Sequence, residues 1–330
     1  MREQTYYGHG KLLLSGEYFV LDGAKSLALP CKLGQVMNVK HSRSNNPTLH
    51  WKSYDHEGKL WFEAKYELWR FRILTEENQA SIDLQKILQQ ARHQNIHFLR
   101  DEVDTLVETR VEFPLNWGLG SSSTLIYNIA QWAYISPFEL LAKTFGGSGY
   151  DIACAQSMGP IIYSNLGGTP SWQSVNFSPL FKDKLYFVHL NQKQNSRREV
   201  GRYQTLELED KRSLIKQINS LTLGMSEALD LQEFEAYIFE HENLLSHSLD
   251  MPRVKDLHFQ DYWGAIKSLG AWGGDFALAT SDKGIDKTRE YFASKGFETV
   301  LGYDEIICSN PLSGTETLSQ LNERLNEAEV

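Results

Sequence analysis

The sequence predicts an α+β protein in two parts, strand-rich first and helix-rich second. Three observations predict it. Before residue 180, short runs rich in Val, Ile, Phe, Tyr and Trp alternate with polar residues and are punctuated by turn signals. After residue 180, apolar residues recur at helical spacing over long stretches. Between these regimes, Ser178-Pro179 marks a break. The expected domains are 1–180 and 181–330.

In chain order, Lys11 to Leu14 is a short apolar strand, and Leu33 to His41 is a longer alternating one. Leu49 to Tyr54 and Leu60 to Ala64 carry Trp51 and Trp61 at strand spacing. Asn45-Asn46-Pro47 and His56-Glu57-Gly58 are turns. Trp51, Trp61 and Trp69 are open to core, interface or nucleotide contact, with core the expectation. Ile82 to His93 reads as an amphipathic helix burying Ile82, Leu84, Ile87, Leu88 and Ala91. Asp104 to Phe113 is a strand with Val107, Thr109, Val111 and Phe113 on one side. A loop over Pro114 to Gly120 leads into a helix, Ser121 to Tyr134, which buries Leu125, Ile126, Ile129, Ala130 and Ala133. Ser136-Pro137 caps and opens the next helix. Leu185 to Leu190 is a strand. Helices are expected over Asp210 to Leu229, Leu231 to Leu249 and His258 to Leu269. Strand Asp275 to Thr280, helix Ile285 to Lys295 and strand Thr299 to Leu301 complete the order.

At 330 residues and 41% hydrophobic content, the chain can build one large or two ordinary cores. A net charge of -9 argues against nucleic acid as a partner. It leaves room for a small basic pocket that takes an anionic substrate. Cys31, Cys154 and Cys308 lie far apart and give neither a disulfide framework nor a zinc pattern. Met1 to Tyr7 holds no apolar signal core, and no apolar run approaches the roughly 18 residues that span a bilayer. The reading is a cytoplasmic protein with no membrane partner, as a monomer or homodimer.

Four glycine-bearing segments carry the chemistry. The first is Pro114-Leu115-Asn116-Trp117-Gly118-Leu119-Gly120-Ser121-Ser122-Ser123, a loop between a strand and a helix. Its glycines let backbone N–H groups approach a phosphate, and the helix start adds unpaired donors and a positive dipole end. It is not a dinucleotide fingerprint, because Ser123 stands at the third glycine position. It lacks the Gly-Lys-Ser/Thr of a Walker loop. The second is Gly10-Lys11-Leu12-Leu13-Leu14-Ser15-Gly16-Glu17-Tyr18, where a strand lysine can neutralise charge on a phosphoryl group. In the third, Gly146-Gly147-Ser148-Gly149-Tyr150-Asp151-Ile152-Ala153, glycines crowd before a carboxylate able to orient or deprotonate a hydroxyl. The fourth, Ile266 to Phe276, reads as a helix ending in the glycines of Gly270-Ala271-Trp272-Gly273-Gly274-Asp275. The basic loop Gln192 to Arg198 suits an anionic substrate. The histidines lack metal-ligand spacing, and no nucleophile elbow is present. Each segment alone also suits a plain structural role: a serine cap, a snorkelling lysine, a first-turn acid, a tight turn.

Their order is more specific. Gly-Lys-(apolar)-Gly-Glu-Tyr, Pro-x-x-x-Gly-Leu-Gly-Ser-Ser, Ser-Gly-x-Asp and Gly-Ala-x-Gly-Gly-Asp, in that sequence, resemble the motifs of the GHMP kinases. That superfamily includes galactokinase, homoserine kinase, mevalonate kinase and phosphomevalonate kinase, with diphosphomevalonate decarboxylase as a relative. The resemblance spans residues about 8 to 280. Gly16 to Leu21 and Gly273-Gly274-Asp275 are most similar to phosphomevalonate kinase, while mevalonate kinases more often show histidine where Tyr18 stands. Gly149-Tyr150-Asp151-Ile152-Ala153 suggests a distinct subgroup.

The resemblance implies two α+β domains, the second ferredoxin-like, with the active site between them. It implies ATP and magnesium, and a small anionic substrate, phosphomevalonate or mevalonate, phosphorylated in isoprenoid precursor synthesis. Lys11 would stabilise developing charge, and Asp151 would act on the acceptor. Gly118, Leu119, Gly120, Ser121, Ser122 and Ser123 would cradle the phosphates, with Ser122 a magnesium ligand. Glu17, Tyr18, Ser148, Ser196, Arg197, Gly270, Gly273, Gly274 and Asp275 would line the site. Trp272 replaces a glycine of the family pattern and is expected to narrow the pocket. A short interval between Ser122 and Asp151 omits an insert that often carries a magnesium-binding glutamate, for which Glu139 is the nearest candidate. Ser123 stands where alanine or glycine is more usual. The competing readings are a decarboxylase-like enzyme and a non-catalytic metabolite- or nucleotide-binding homologue. Gly-Gly-Asp favours the kinase over the first, and retention of Lys11 and Asp151 favours it over the second.

Overall fold

Alternating apolar and polar residues build the first of two sheets in this computed structural model, which describes residues 2–100, 103–192, 196–272 and 274–308. Its strands are β1 (Arg2–Leu13), β2 (Ser26–Arg43), β3 (Thr48–Tyr54), β4 (Leu60–Glu67), β5 (Val103–Val111), β6 (Ile161–Leu166) and β7 (Thr169–Ser174). β1 pairs antiparallel with β2, from Arg2 opposite His41 to Leu13 opposite Ala28. The other edge of β2 is shared by β5 along its second half and β6 along its first. β3, parallel to β5, and β4 extend the sheet one way, and β7 extends it the other. β1 runs well upstream of the apolar residues that announce it. Its first half is polar and becomes a strand through its pairing with β2.

Helices α1 (Gln79–Gln94), α2 (Ser121–Ala133), α3 (Pro137–Thr144) and α4 (Tyr150–Ala155) pack against this sheet. Trp51, Tyr66 and Val107 meet Leu84, Ile87, Ile126, Ile129 and Leu140 in one apolar cluster. A large side chain buried there contributes about 1.5–3 kcal/mol. Asn78 caps α1 in a reciprocal pair with Ser81, and Ser136 caps α3 ahead of Pro137. Two expectations change. Ile82 is exposed, and Ser81 takes its place on the buried face of α1. Trp61 and Trp69 are exposed, leaving Trp51 as the core tryptophan of the three. The β6–β7 hairpin carries no prediction, because β7 is mostly exposed and lacks alternation.

The second sheet is antiparallel, in the order β11-β8-β10-β9, formed by β8 (Leu185–His189), β9 (Ile266–Ser268), β10 (Phe276–Thr280) and β11 (Val300–Gly302). Between β8 and β9 run α5 (Ser196–Gln204), α6 (Lys211–Glu227), α7 (Leu231–Leu249) and α8 (Val254–His258). α9 (Gly284–Ser294) joins β10 to β11, and a single turn, α10 (Tyr303–Ile306), follows. The chain order is that of a ferredoxin-like unit. Asp210 and Asp230 cap α6 and α7 through their side chains.

The helix expected over His258 to Leu269 is absent. Its late positions Ile266–Ser268 form β9, paired with β10 and buried throughout. Periodicity cannot separate a fully buried short strand from a helix. Gly264 fixes the approach: a Cβ there would lie 2.0 Å from the carbonyl oxygen of Thr280. The fourth glycine segment is therefore a loop between two strands rather than a helix end. Ser196 and Arg197, expected in a loop, open helix α5.

One apolar cluster crosses both sheets. Leu12, Leu27, Phe113 and Leu119 meet Phe187, Phe276 and Leu278, with Met225 and Phe234 from α6 and α7. Among the described residues, no helix is long and apolar enough to cross a membrane.

Candidate phosphate-binding site

The glycine-serine loop lies across β1 and reaches the second sheet. The backbone N–H of Lys11 donates to Leu119 O at 3.0 Å, and Lys11 Nζ donates to Gly118 O at 2.8 Å. One lysine thus holds the loop by main chain and side chain. Farther along, Trp117 packs edge-on to Phe276 with centroids 5.5 Å apart, and His189 Nε2 lies 3.3 Å from Asn116 O. Gly118 has a φ of 67°, and a Cβ on it would sit 2.1 Å from Asp275 Cγ. No other residue fits that position. Gly120, also left-handed, is the N-cap of α2. Leu119 between them is buried in the joint cluster. Beyond Gly120, Ser121 is half-buried, Ser122 exposed and Ser123 buried. The N–H groups of Ser121 and Ser122, ahead of the Ser123 N–H that bonds Gly120 O, are the donors that suit an anion.

Around Lys11 stand Tyr150, Asp151 and Asp275. Its ammonium lies 5.8 Å from the centre of the Tyr150 ring. Burial works against the lysine charge, but Tyr150, Asp275 and Asp151 together outweigh it and hold the ammonium well above the usual lysine range. Burial pushes the Tyr150 hydroxyl up to about 12, with Lys11 pulling it back. Asp151 lies in the first turn of α4, which Tyr150 opens behind the left-handed Gly149. Its Oδ1 accepts the Ile152 N–H at 3.2 Å, and its Oδ2 accepts a hydrogen bond from the Ser123 hydroxyl. Tyr150 was not singled out by the sequence; its place directly before Asp151 was the available signal. The arrangement is a fixed cation and a carboxylate beside a helix N-terminus, which can bind phosphate and steer an attacking oxygen.

The other predicted residues fall differently. Ser148 is buried, and its carbonyl accepts from Tyr163 Oη and Asn165 Nδ2. Asp275 reaches the loop through Gly118. Gly270 has open space around its missing side chain, and Gly274 is buried. Gly273 and the side chains of Ser196 and Arg197 lie outside the described residues. Glu139 is an exposed first-turn residue of α3, whose N–H goes to the Ser136 cap at 3.3 Å. Tyr18 is buried, stacks on Tyr203 at 5.6 Å, and its hydroxyl accepts the Trp272 N–H at 3.2 Å. The Trp272 ring turns into the cluster of Tyr18, Phe19, Tyr203, Ile218 and Leu245, so it fills core rather than narrowing an open pocket.

Glu17 is also placed elsewhere. It is fully buried, 2.5 Å from Lys267 Nζ, with His241 Nε2 3.4 Å from its second oxygen. Glu242 lies 3.6 Å from the same ammonium and accepts from Ser268 Oγ at 3.0 Å. Burial pushes Glu17 up to about 7 and raises Glu242, against the pull of Lys267. Burial holds His241 well below the usual histidine range. This cluster joins the end of the β1 segment to α7 and to β9, from which the Gly270 loop departs. Lys267 was missed because a lysine in an apolar run reads as a helix-surface residue.

No protein-family model matches this sequence, and no curated protein matches it. Solved structures do. A mevalonate kinase from Methanococcus jannaschii aligns over 94% of this chain and 99% of its own, at 12% identity and a TM-score of 0.66. A phosphomevalonate kinase from Streptococcus pneumoniae, in complex with phosphomevalonate and AMPPNP, aligns over 91% of this chain and 99% of its own, at 16% identity and a TM-score of 0.66. A galactokinase from Lactococcus lactis, complexed with galactose, aligns over 93% of this chain and 94% of its own, at 13% identity and a TM-score of 0.64. These likenesses establish a common fold.

Proposed function

We propose that this chain, which has the GHMP kinase fold, transfers the γ-phosphoryl group of ATP to a small anionic acceptor, phosphomevalonate or mevalonate. One observation carries the reading: Lys11 Nζ is fixed on Gly118 O at 2.8 Å, beside the N-terminus of α2 and among Asp151, Asp275 and Tyr150. The loop N–H groups would hold the nucleotide phosphates, and Lys11 would neutralise charge on the group in transit. The acceptor oxygen attacks the γ-phosphorus, the bond to the β–γ bridging oxygen breaks, and ADP leaves with that oxygen. Where the acceptor is an alcohol, its proton passes to Asp151.

A bound magnesium ion would spread charge over the phosphates, and the exposed Ser122 hydroxyl would hold it. Among the described residues, no three His, Cys, Asp or Glu side chains are grouped to hold an ion alone. That donor set suits an ion carried largely by phosphate oxygens.

ADP release with magnesium-ATP, assayed against phosphomevalonate, mevalonate, homoserine and galactose, tests the proposal. Turnover on one of the first two acceptors, strongly reduced in Asp151→Asn, is expected. ATP binding with no turnover on any acceptor would overturn it in favour of a binding protein.

A further inference from the structure

Three serines follow Gly120, and only two of them are placed to meet a phosphate. Consecutive residues on a helix are separated by about 100°, so three in a row cannot face one ligand. Ser121 is half-buried and Ser122 exposed, whereas Ser123 is 6% exposed. The Ser123 N–H is committed to Gly120 O at 3.0 Å. Its hydroxyl donates to Asp151 Oδ2, while Asp151 Oδ1 accepts the Ile152 N–H at 3.2 Å. Both carboxylate oxygens are therefore pinned, one by α4 itself and one by α2.

We infer that Ser123 is a positioning residue for Asp151 and not a phosphate ligand. The inference rests on the kinase reading above. A hydroxyl-to-carboxylate bond is charge-assisted and directional, so it fixes the angle at which Asp151 meets the acceptor. It also joins the helix that begins at the phosphate loop to the helix that carries the carboxylate. A nucleotide seated on the first turn of α2 thereby bears on the orientation of Asp151. Alanine at this position would pack equally well but leave Oδ2 without that donor.

The test compares Ser123→Ala, Ser123→Thr, Ser122→Ala, Asp151→Asn and the Ser123→Ala/Asp151→Asn double variant. Each is first checked for folding by circular dichroism. Loss of a hydrogen bond to a charged group predicts a fall in kcat of about ten- to hundredfold in Ser123→Ala. The KM for ATP and the calorimetric affinity for AMPPNP should stay within about twofold of wild type, since uniform binding is untouched. Ser122→Ala should weaken AMPPNP binding instead. Restoring the hydroxyl in Ser123→Thr should recover most of kcat. In the Asp151→Asn background, removing Ser123 should change nothing further. Weaker AMPPNP binding in Ser123→Ala with kcat retained would make Ser123 a phosphate ligand. An equal loss in both backgrounds would also overturn the inference. A wild-type protein that turns over no acceptor would instead bring down the kinase reading, which these variants cannot mimic.

Discussion

Replacing Lys267 by methionine removes, among the described residues, the one cation from a pocket that holds two carboxylates. Lys267 and Glu17 are both 0% exposed, and Glu242 is 2% exposed. Their closest approach is 2.5 Å, and Lys267 Nζ also donates to Ser268 O at 3.0 Å. Stripping one partner from such a group leaves buried charge uncompensated, at a cost of about 3–5 kcal/mol. The flexible methionine side chain keeps most of the volume, so little of this is cavity. The pH dependence gives a second signature. Glu17 titrates near 7 in the folded protein against an unfolded value of 4.5, so its contribution to stability is fully present below about 4.5 and is lost as pH rises through 7. Without Lys267 both carboxyls rise further. The deficit of the variant should therefore be smaller at pH 5.5 than at pH 8. Urea unfolding at both values measures it. The Glu17→Gln/Lys267→Met double variant should be more stable at pH 8 than Lys267→Met alone, because one buried charge is gone. A deficit below about 1 kcal/mol, equal at both pH values, would refute the argument that this cluster is a charge lock.

Two further variants probe the site. Gly118→Ala places a Cβ on the Asp275 carboxyl at a φ of 67°, so AMPPNP affinity measured by calorimetry should fall at least about tenfold; unchanged binding would show that the loop geometry is not needed. Trp272→Ala empties a fully packed ring position among Tyr18, Phe19 and Tyr203, and urea unfolding should show a loss of about 3–5 kcal/mol; a loss under about 1 kcal/mol would place the ring outside the core.

Much of this fold was legible where local signals agree with tertiary packing. Helix α7 runs from Leu231 to Leu249 as its periodicity indicates, because Asp230 caps it and its apolar stripe packs inward. β5 shows the same agreement through Val107, Thr109 and Val111. β9 was misread because all three of its residues are buried, which erases the period that distinguishes strand from helix. The upstream half of β1 was invisible for the opposite reason: it is polar, and only its partner β2 makes it a strand.

The site was legible as a set of motifs but not as a map of contacts. Lys11, Gly118, Asp151 and Asp275 meet, although far apart in sequence, because the glycine loop crosses β1 and touches the second sheet. Glu17 and Trp272 sit inside glycine motifs yet face the core. A motif fixes which backbone turns occur, whereas the partner of each side chain depends on elements hundreds of residues away, such as Lys267 for Glu17. Ser123 is the reverse case: one residue of a phosphate-loop motif whose hydroxyl turns toward Asp151.

The most direct test of the central claim is to follow phosphorus itself. A ³¹P NMR time course of the protein with magnesium-ATP and phosphomevalonate or mevalonate reports every phosphoryl group at once. The account predicts that the ATP γ-resonance is replaced by ADP and one new phosphorylated product in equal amounts, with no free phosphate. ADP accompanied by equal inorganic phosphate would contradict transfer to the acceptor, pointing to hydrolysis where the acceptor is unchanged and to decarboxylation where it loses CO₂.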